Sequence, residues 1–292
     1  MIGSTGIDRL GTPPHGGWKG KNMVRNHFTI DGYNVYAEKF SGVNEMMQIS
    51  EGRSVPSYYK NTESSLKSSN YGFREHFYGV ESFEDAKKIL ITGGANVKDV
   101  EKVRASSFKS KKSTMVSSKY GQFVNMPAYI AGDERNMFRI TRQTTAKPVN
   151  VVIDMTAECY RRNDDFKRAG LEIIKRITEL EKDHMVSLHL FWNTSALSPA
   201  QMRRKGKSSC TAIVKSVTIK NAGAMFSPAR VSGGLTTAVF RVFAFLHYIS
   251  CPDLPRSEYT EELGYMLPKS TSRKIAEKLF TNMEYFRIVD FM

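Results

Sequence analysis

The chain has 292 residues, 40% of them hydrophobic, and a formal net charge of +14. That length and apolar content are enough for a sizeable core and exclude wholesale disorder. Cys159, Cys210 and Cys251 are odd in number, far apart and outside any C-x-x-C pair, which excludes a disulfide framework and points to a reducing compartment.

Residues 1–26 read as a flexible arm, with a Gly/Pro cluster from Gly11 to Gly17 and no apolar run of the signal-peptide kind. Residues 27–40 alternate around Asp31-Gly32, the pattern of a β-hairpin. Residues 54–72 are rich in Ser, Asn and Tyr and read as a loop. Ser82, with Asp85 three residues on, is a helix-start signal, and the helix is expected to stop at Gly93-Gly94. Residues 105–122 interleave small hydroxyl residues with lysines and read as a basic loop, followed by an apolar stretch that turns at Gly132-Asp133.

The second half is more regular. Val149–Met155 is a nearly all-apolar run, the mark of a buried parallel strand. Residues 163–182 carry Phe166, Leu171, Ile174, Ile177 and Leu180 at helical spacing. Val186–Trp192 and Thr211–Ile219 alternate as the two strands of an edge hairpin. Val239–Ile249 reads as a buried helix, 270–286 as a last helix and Phe286–Phe291 as a closing strand. The most apolar stretch, Ala238–Ile249, is too short to span a membrane. The expected fold class is α/β: a flexible arm (1–26), an N-terminal α+β region with a basic loop (27–147) and a doubly wound α/β domain (148–292).

The charge is unevenly placed. Residues 98–150 contain eleven basic and four acidic residues, and residues 184–252 contain eight basic and no acidic ones, whereas the rest is close to neutral. Clustered positive charge is the footprint of a polyanion binder. The candidate contacts are Lys109, Lys111, Lys112 and Lys119 in the Ser/Lys loop, Arg135, Arg139 and Arg142 beyond it, and Arg203, Arg204, Lys205 and Lys207 in the loop joining the hairpin strands. Gly206 would let that backbone approach a phosphate closely. Tyr120 lies among polar neighbours and is a candidate for stacking on a base, which favours single strands. There is no helix-turn-helix, zinc-finger or RNA-recognition signature for reading a duplex.

Signals for catalysis are poor. The six histidines make no metal-ligand spacing, there is no Gly-x-Ser-x-Gly elbow, and Gly206-Lys207-Ser208 lacks the first glycine of a phosphate-binding loop. A non-enzymatic role with no resident cofactor is expected.

Two resemblances follow from particular residues. Asp154-Met-Thr-Ala-Glu158 at the end of a strand and Ser232-Gly-Gly-Leu-Thr-Thr237 at the start of an expected helix resemble the metal motif and Gly-rich loop of von Willebrand factor A-type domains. The resemblance implies a Mg²⁺ site at Asp154, Thr156, Glu158 and Thr236 or Thr237, with Asp290 as the candidate third acid, and a role as a protein-interaction adaptor. Ser82, Glu84 and Ala86 with Pro127–Asp133 are similar to a segment of phage-encoded proteins of uncharacterised role. That resemblance implies a host bacterial cytoplasm and gives no activity. Together these readings lead to single-stranded DNA as the expected partner, with a phage or host polymerase recruited or activated in transcription or replication. A virion or assembly component is the remaining alternative.

Overall fold

The computed structural model describes residues 24–52, 60–67, 75–93, 113–121, 123–142, 147–206, 208–224, 226–250 and 265–292. At its centre is a six-stranded mixed sheet flanked by helices, an α/β fold as expected. Its strands are β1 (Val24–Ile30), β2 (Tyr33–Phe40), β6 (Lys147–Asp154), β7 (His184–Ser195), β8 (Cys210–Lys220) and β9 (Met283–Arg287), in the spatial order β1-β2-β8-β7-β6-β9. β1–β2 and β7–β8 pair antiparallel; β2–β8, β7–β6 and β6–β9 pair parallel.

The hairpin β1–β2 turns at Asp31 and Gly32, both with positive φ (48° and 79°), the conformation a two-residue primed turn requires. In β2, Tyr33, Val35 and Ala37 face one side of the sheet while Phe40 faces the other. β6 is apolar on both faces, with Val149, Val151 and Ile153 on one and Val152 on the other, because helices cover both.

One face packs under α1 (Val43–Gly52), α4 (Phe83–Thr92), α6 (Asn163–Leu180), α8 (Pro228–Gly234), a π-helix (Val239–Ala244) and α9 (Phe245–Ile249). The other packs under α7 (Pro199–Arg204) and α10 (Lys269–Leu279), through Met202, Ile275 and Ala276. Each fully buried aliphatic side chain in these layers stabilises by roughly 1.5–3 kcal/mol. Ser82 caps α4 as its position predicted, its hydroxyl accepting from the Asp85 amide at 3.2 Å. α2 (Lys60–Leu66) and α3 (Glu75–Tyr78) complete the N-terminal helices. A separate three-stranded antiparallel sheet is formed by β3 (Ser113–Ser118), β4 (Phe123–Val124) and β5 (Met137–Arg142), in the order β3-β5-β4, with α5 (Met126–Ile130) between β4 and β5.

Several expectations need correction. β2 pairs with β8 over eight residues, and Phe40, Met46 and Leu90 share a core with Ile153 and Ile174. The expected boundary at 147/148 therefore does not separate two cores, since the N-terminal hairpin supplies two of the six strands. β7 and β8 are the two central strands, not an edge hairpin, because β1–β2 covers β8 and β6–β9 covers β7. Residues 113–118 of the expected basic loop are a strand, and 60–66 of the expected Ser/Asn loop are a helix. The last helix stops at Leu279. Asn282, with φ 45°, then turns the chain into β9, so the closing strand is 283–287 and Ile288–Phe291 is a 3₁₀ turn.

Candidate nucleic-acid interface

The connection from β7 to β8 contains a helix. Ser198 caps α7, with its hydroxyl accepting from the Gln201 amide and the Gln201 side chain accepting from the Ser198 amide. Arg203 and Arg204 lie in the last turn of this helix, where cations complement the partial negative charge of the helix end. Arg203, Arg204 and Lys205 are all exposed. Gly206, with φ 61°, follows them and its amide donates to Arg203 O. Its left-handed backbone ends the helix. Lys207 lies outside the described residues.

The small sheet holds the second set. Arg135 and Arg139 are exposed, Arg139 standing opposite Val116 on β3. Lys119 pairs with Glu134. Lys109, Lys111 and Lys112 lie outside the described residues, as does the side chain of Arg142 on β5. The same segment exposes aromatic and apolar surface: Tyr120 is 83% exposed, Tyr129 61% and Phe123 51%, and Met126 and Ile130 on the helix of Tyr129 are exposed too. Isolated exposed apolar residues are ordinary; here the small sheet and its helix carry several.

The acid-free segment 184–252 does not form one basic patch. Lys215 is buried, its Nζ 2.5 Å from Glu38 Oε2 on β2. Lys220 is buried too, bonded to Glu181 at 2.8 Å and to Val186 O. Arg241 is 1% exposed. Acids from other parts of the chain thus neutralise two of its cations. Arg203–Lys205 precede β8 and Arg230 follows it, at opposite ends of an eleven-residue strand, roughly 35 Å apart at the usual strand rise. At the Arg230 end is a cavity of about 270 Å³ lined by Ser41, Lys220, Ser227 and Arg230. Glu45 Oε2 already accepts from the Ser41 amide and hydroxyl there, both at 2.8 Å.

The expected metal site is built differently. Asp154, at the end of β6, is fully buried. Its Oδ2 accepts from Asn193 Nδ2 (3.1 Å), Ser272 Oγ (2.7 Å) and Tyr285 OH (2.6 Å), with Arg287 Nε at 3.7 Å. Its Oδ1 accepts from the Thr156 amide at 3.0 Å. Burial, and then the neighbouring carboxylate, push the Tyr285 phenol well above its ordinary range, so it stays a neutral donor. Thr156 Oγ1 accepts from the Asn193 amide, Glu158 pairs with Arg161, and Thr236 Oγ1 donates to Gly233 O. Asp290 pairs with Lys269. A hard cation needs several convergent oxygens. These residues are instead each committed to protein partners, and no group of three or more His, Cys, Asp or Glu placed to hold a metal occurs among the described residues. Gly233 and Gly234 end a helix instead of opening one. A side chain at 234 would press on Leu190 at 3.2 Å, which explains the small residue.

Arg241 is the feature that charge counting missed. Its guanidinium donates to Phe77 O (2.5 Å), Cys159 O (2.9 Å) and Arg161 O, and Glu158 O lies at 3.5 Å. Burial lowers its pKa to about 10. An arginine within an otherwise apolar run must find acceptors when the run is buried, and that was the available signal.

No helix among the described residues is long and apolar enough to cross a membrane. No curated protein matches the chain, and no solved structure does. A family model described as "Domain of unknown function (DUF7192)" matches residues 19–287, continuously across both sheets, and the chain belongs to that family.

Proposed function

We propose that the protein binds single-stranded nucleic acid, DNA in the first instance, without catalysing a reaction on it. The observation that carries this reading is that the small sheet and the segment joining its strands expose Tyr120, Phe123 and Tyr129 together with Arg135 and Arg139. Aromatic faces accept unpaired bases of any identity, and the cations follow the phosphates. The exposed Arg203–Lys205 turn supplies a further cationic contact. Assistance of phage transcription or replication, through a phage or host polymerase, is the setting that the phage-like segment at Pro127–Asp133 suggests.

Replacing Tyr120 and Tyr129 together with Ser tests the reading. With each stacked base worth roughly 1–3 kcal/mol, the double variant should bind a single-stranded oligonucleotide at least tenfold more weakly, at an unchanged melting temperature. Wild-type affinity in a folded double variant would remove the small sheet from the interface.

A further inference from the structure

β6 is the point at which the sheet's connections diverge. The chain leaves it through α6 on one face to reach β7, and enters its other neighbour β9 from α10 on the opposite face. In open α/β sheets, the crevice outside the carboxyl ends of the strands at such a point is where ligands bind. Here the deep part of that crevice is filled by Asp154 and its donors. What stands outside is the loop that follows Asp154.

That loop is held from beneath and polar on top. The buried Arg241 guanidinium ties together the carbonyls of Cys159 and Arg161, and that of Phe77 on α3. Three of its backbone carbonyl contacts therefore fall within four consecutive residues, 158–161. Arg241 itself lies in a π-helix, an irregularity found often at functional sites. Tyr160 rises from this anchored segment 69% exposed, with the Arg161 guanidinium 5.3 Å from its ring centroid. Arg162 beside it is exposed. β7 is the adjacent strand and runs parallel to β6, so the connection bearing Arg203, Arg204 and Lys205 emerges from the same end of the sheet, with its helix on the opposite face. Acids nearby are engaged: Glu158 with Arg161, Asp164 with Lys167 and Asp165 with Arg168. A tyrosine leaves little conformational entropy to lose on binding, and anchoring its loop leaves less.

We infer that Tyr160 is a base-stacking contact for single-stranded DNA, presented at the carboxyl end of the sheet by the Arg241 clamp, with the adjoining exposed Arg162 for the phosphates. This rests on the single-strand reading above and extends it to a second surface, on the six-stranded sheet. An aromatic with a cation over one face leaves the other face for a base, and stacking discriminates unpaired bases from a closed duplex.

The experiment compares the full chain with its Tyr160→Ala, Tyr160→Trp and Tyr160→Glu variants, titrated against a fluorescent oligo-dT and against the same strand with abasic sites. Tyr160→Ala should lose roughly 5- to 100-fold in affinity for oligo-dT with little change in salt slope, Tyr160→Trp should retain wild-type binding, and the abasic strand should not distinguish wild type from Tyr160→Ala. Unchanged melting temperatures would show that the exposed ring is dispensable for folding. If the wild type binds oligo-dT and Tyr160→Ala and Tyr160→Glu bind it equally well, the stacking contact is overturned and the small-sheet reading stands. If the wild type shows no single-strand binding at all, both fall.

Discussion

His189 stands on β7 with Nε2 3.1 Å from Asn150 Oδ1 and Nδ1 3.1 Å from Thr218 Oγ1. The Asn150 amide nitrogen donates to Thr281 O, which fixes its oxygen toward the histidine. That oxygen only accepts, so Nε2 carries the proton and Nδ1 accepts from the threonine. Burial first, and then the Lys39 charge, pull the His189 pKa down to about 3. A depressed histidine binds fewer protons folded than unfolded, so its contribution is present above its unfolded pKa near 6.5 and is lost as pH falls from there toward 3. Chemical denaturation across that window should show stability falling by up to about 1.4 kcal/mol per pH unit, and His189→Gln should flatten the dependence. A wild-type protein equally stable at pH 7 and pH 4.5 would contradict the buried neutral imidazole. At this scale the sequence was a partial guide. Asp154 could be picked out as a strand-end acid, but its donors Ser272 and Tyr285 come from more than a hundred residues away. Nothing local distinguishes a carboxylate destined for a metal from one destined for a tyrosine.

Among the elements, the hairpin at Asp31-Gly32, the capped helix at Ser82, the strand from 149 and the long helix from 163 were all legible, because each is set by local periodicity or by a turn residue. Strand order was not. β2 and β8 are separated by about 170 residues, and neither shows its partner in its own pattern. Lys215 illustrates the consequence: it looks like surface charge on an alternating strand, yet it is buried against Glu38. The pair therefore joins the N-terminal hairpin to the centre of the sheet. Lys215→Met should cost about 3 kcal/mol by removing the buried cation that Glu38 faces at 2.5 Å. Adding Glu38→Leu should restore much of that loss, since an apolar pair needs no countercharge. Urea unfolding of the two variants checks both signs, and a double variant no more stable than Lys215→Met would contradict the coupling.

For the whole molecule, the charge pattern that first suggested a polyanion partner is redistributed by folding. Lys215 and Lys220 are spent on buried acids, Arg241 on backbone carbonyls, and Arg230 lies at the far end of β8 from Arg203–Lys205. Among the described residues, those left exposed include a basic turn, an arginine-bearing small sheet and tyrosines on both sheets' peripheries. Net charge is a sum over sequence, whereas a binding surface depends on which cations reach solvent without an acid beside them. The most direct test is a titration of the full chain with a single-stranded oligonucleotide and its duplex over a series of salt concentrations. The account predicts tighter binding of the single strand, with log affinity falling linearly in log salt at about −0.7 per neutralised phosphate. Equal or tighter binding of the duplex, or a single-strand affinity indifferent to salt, would contradict it.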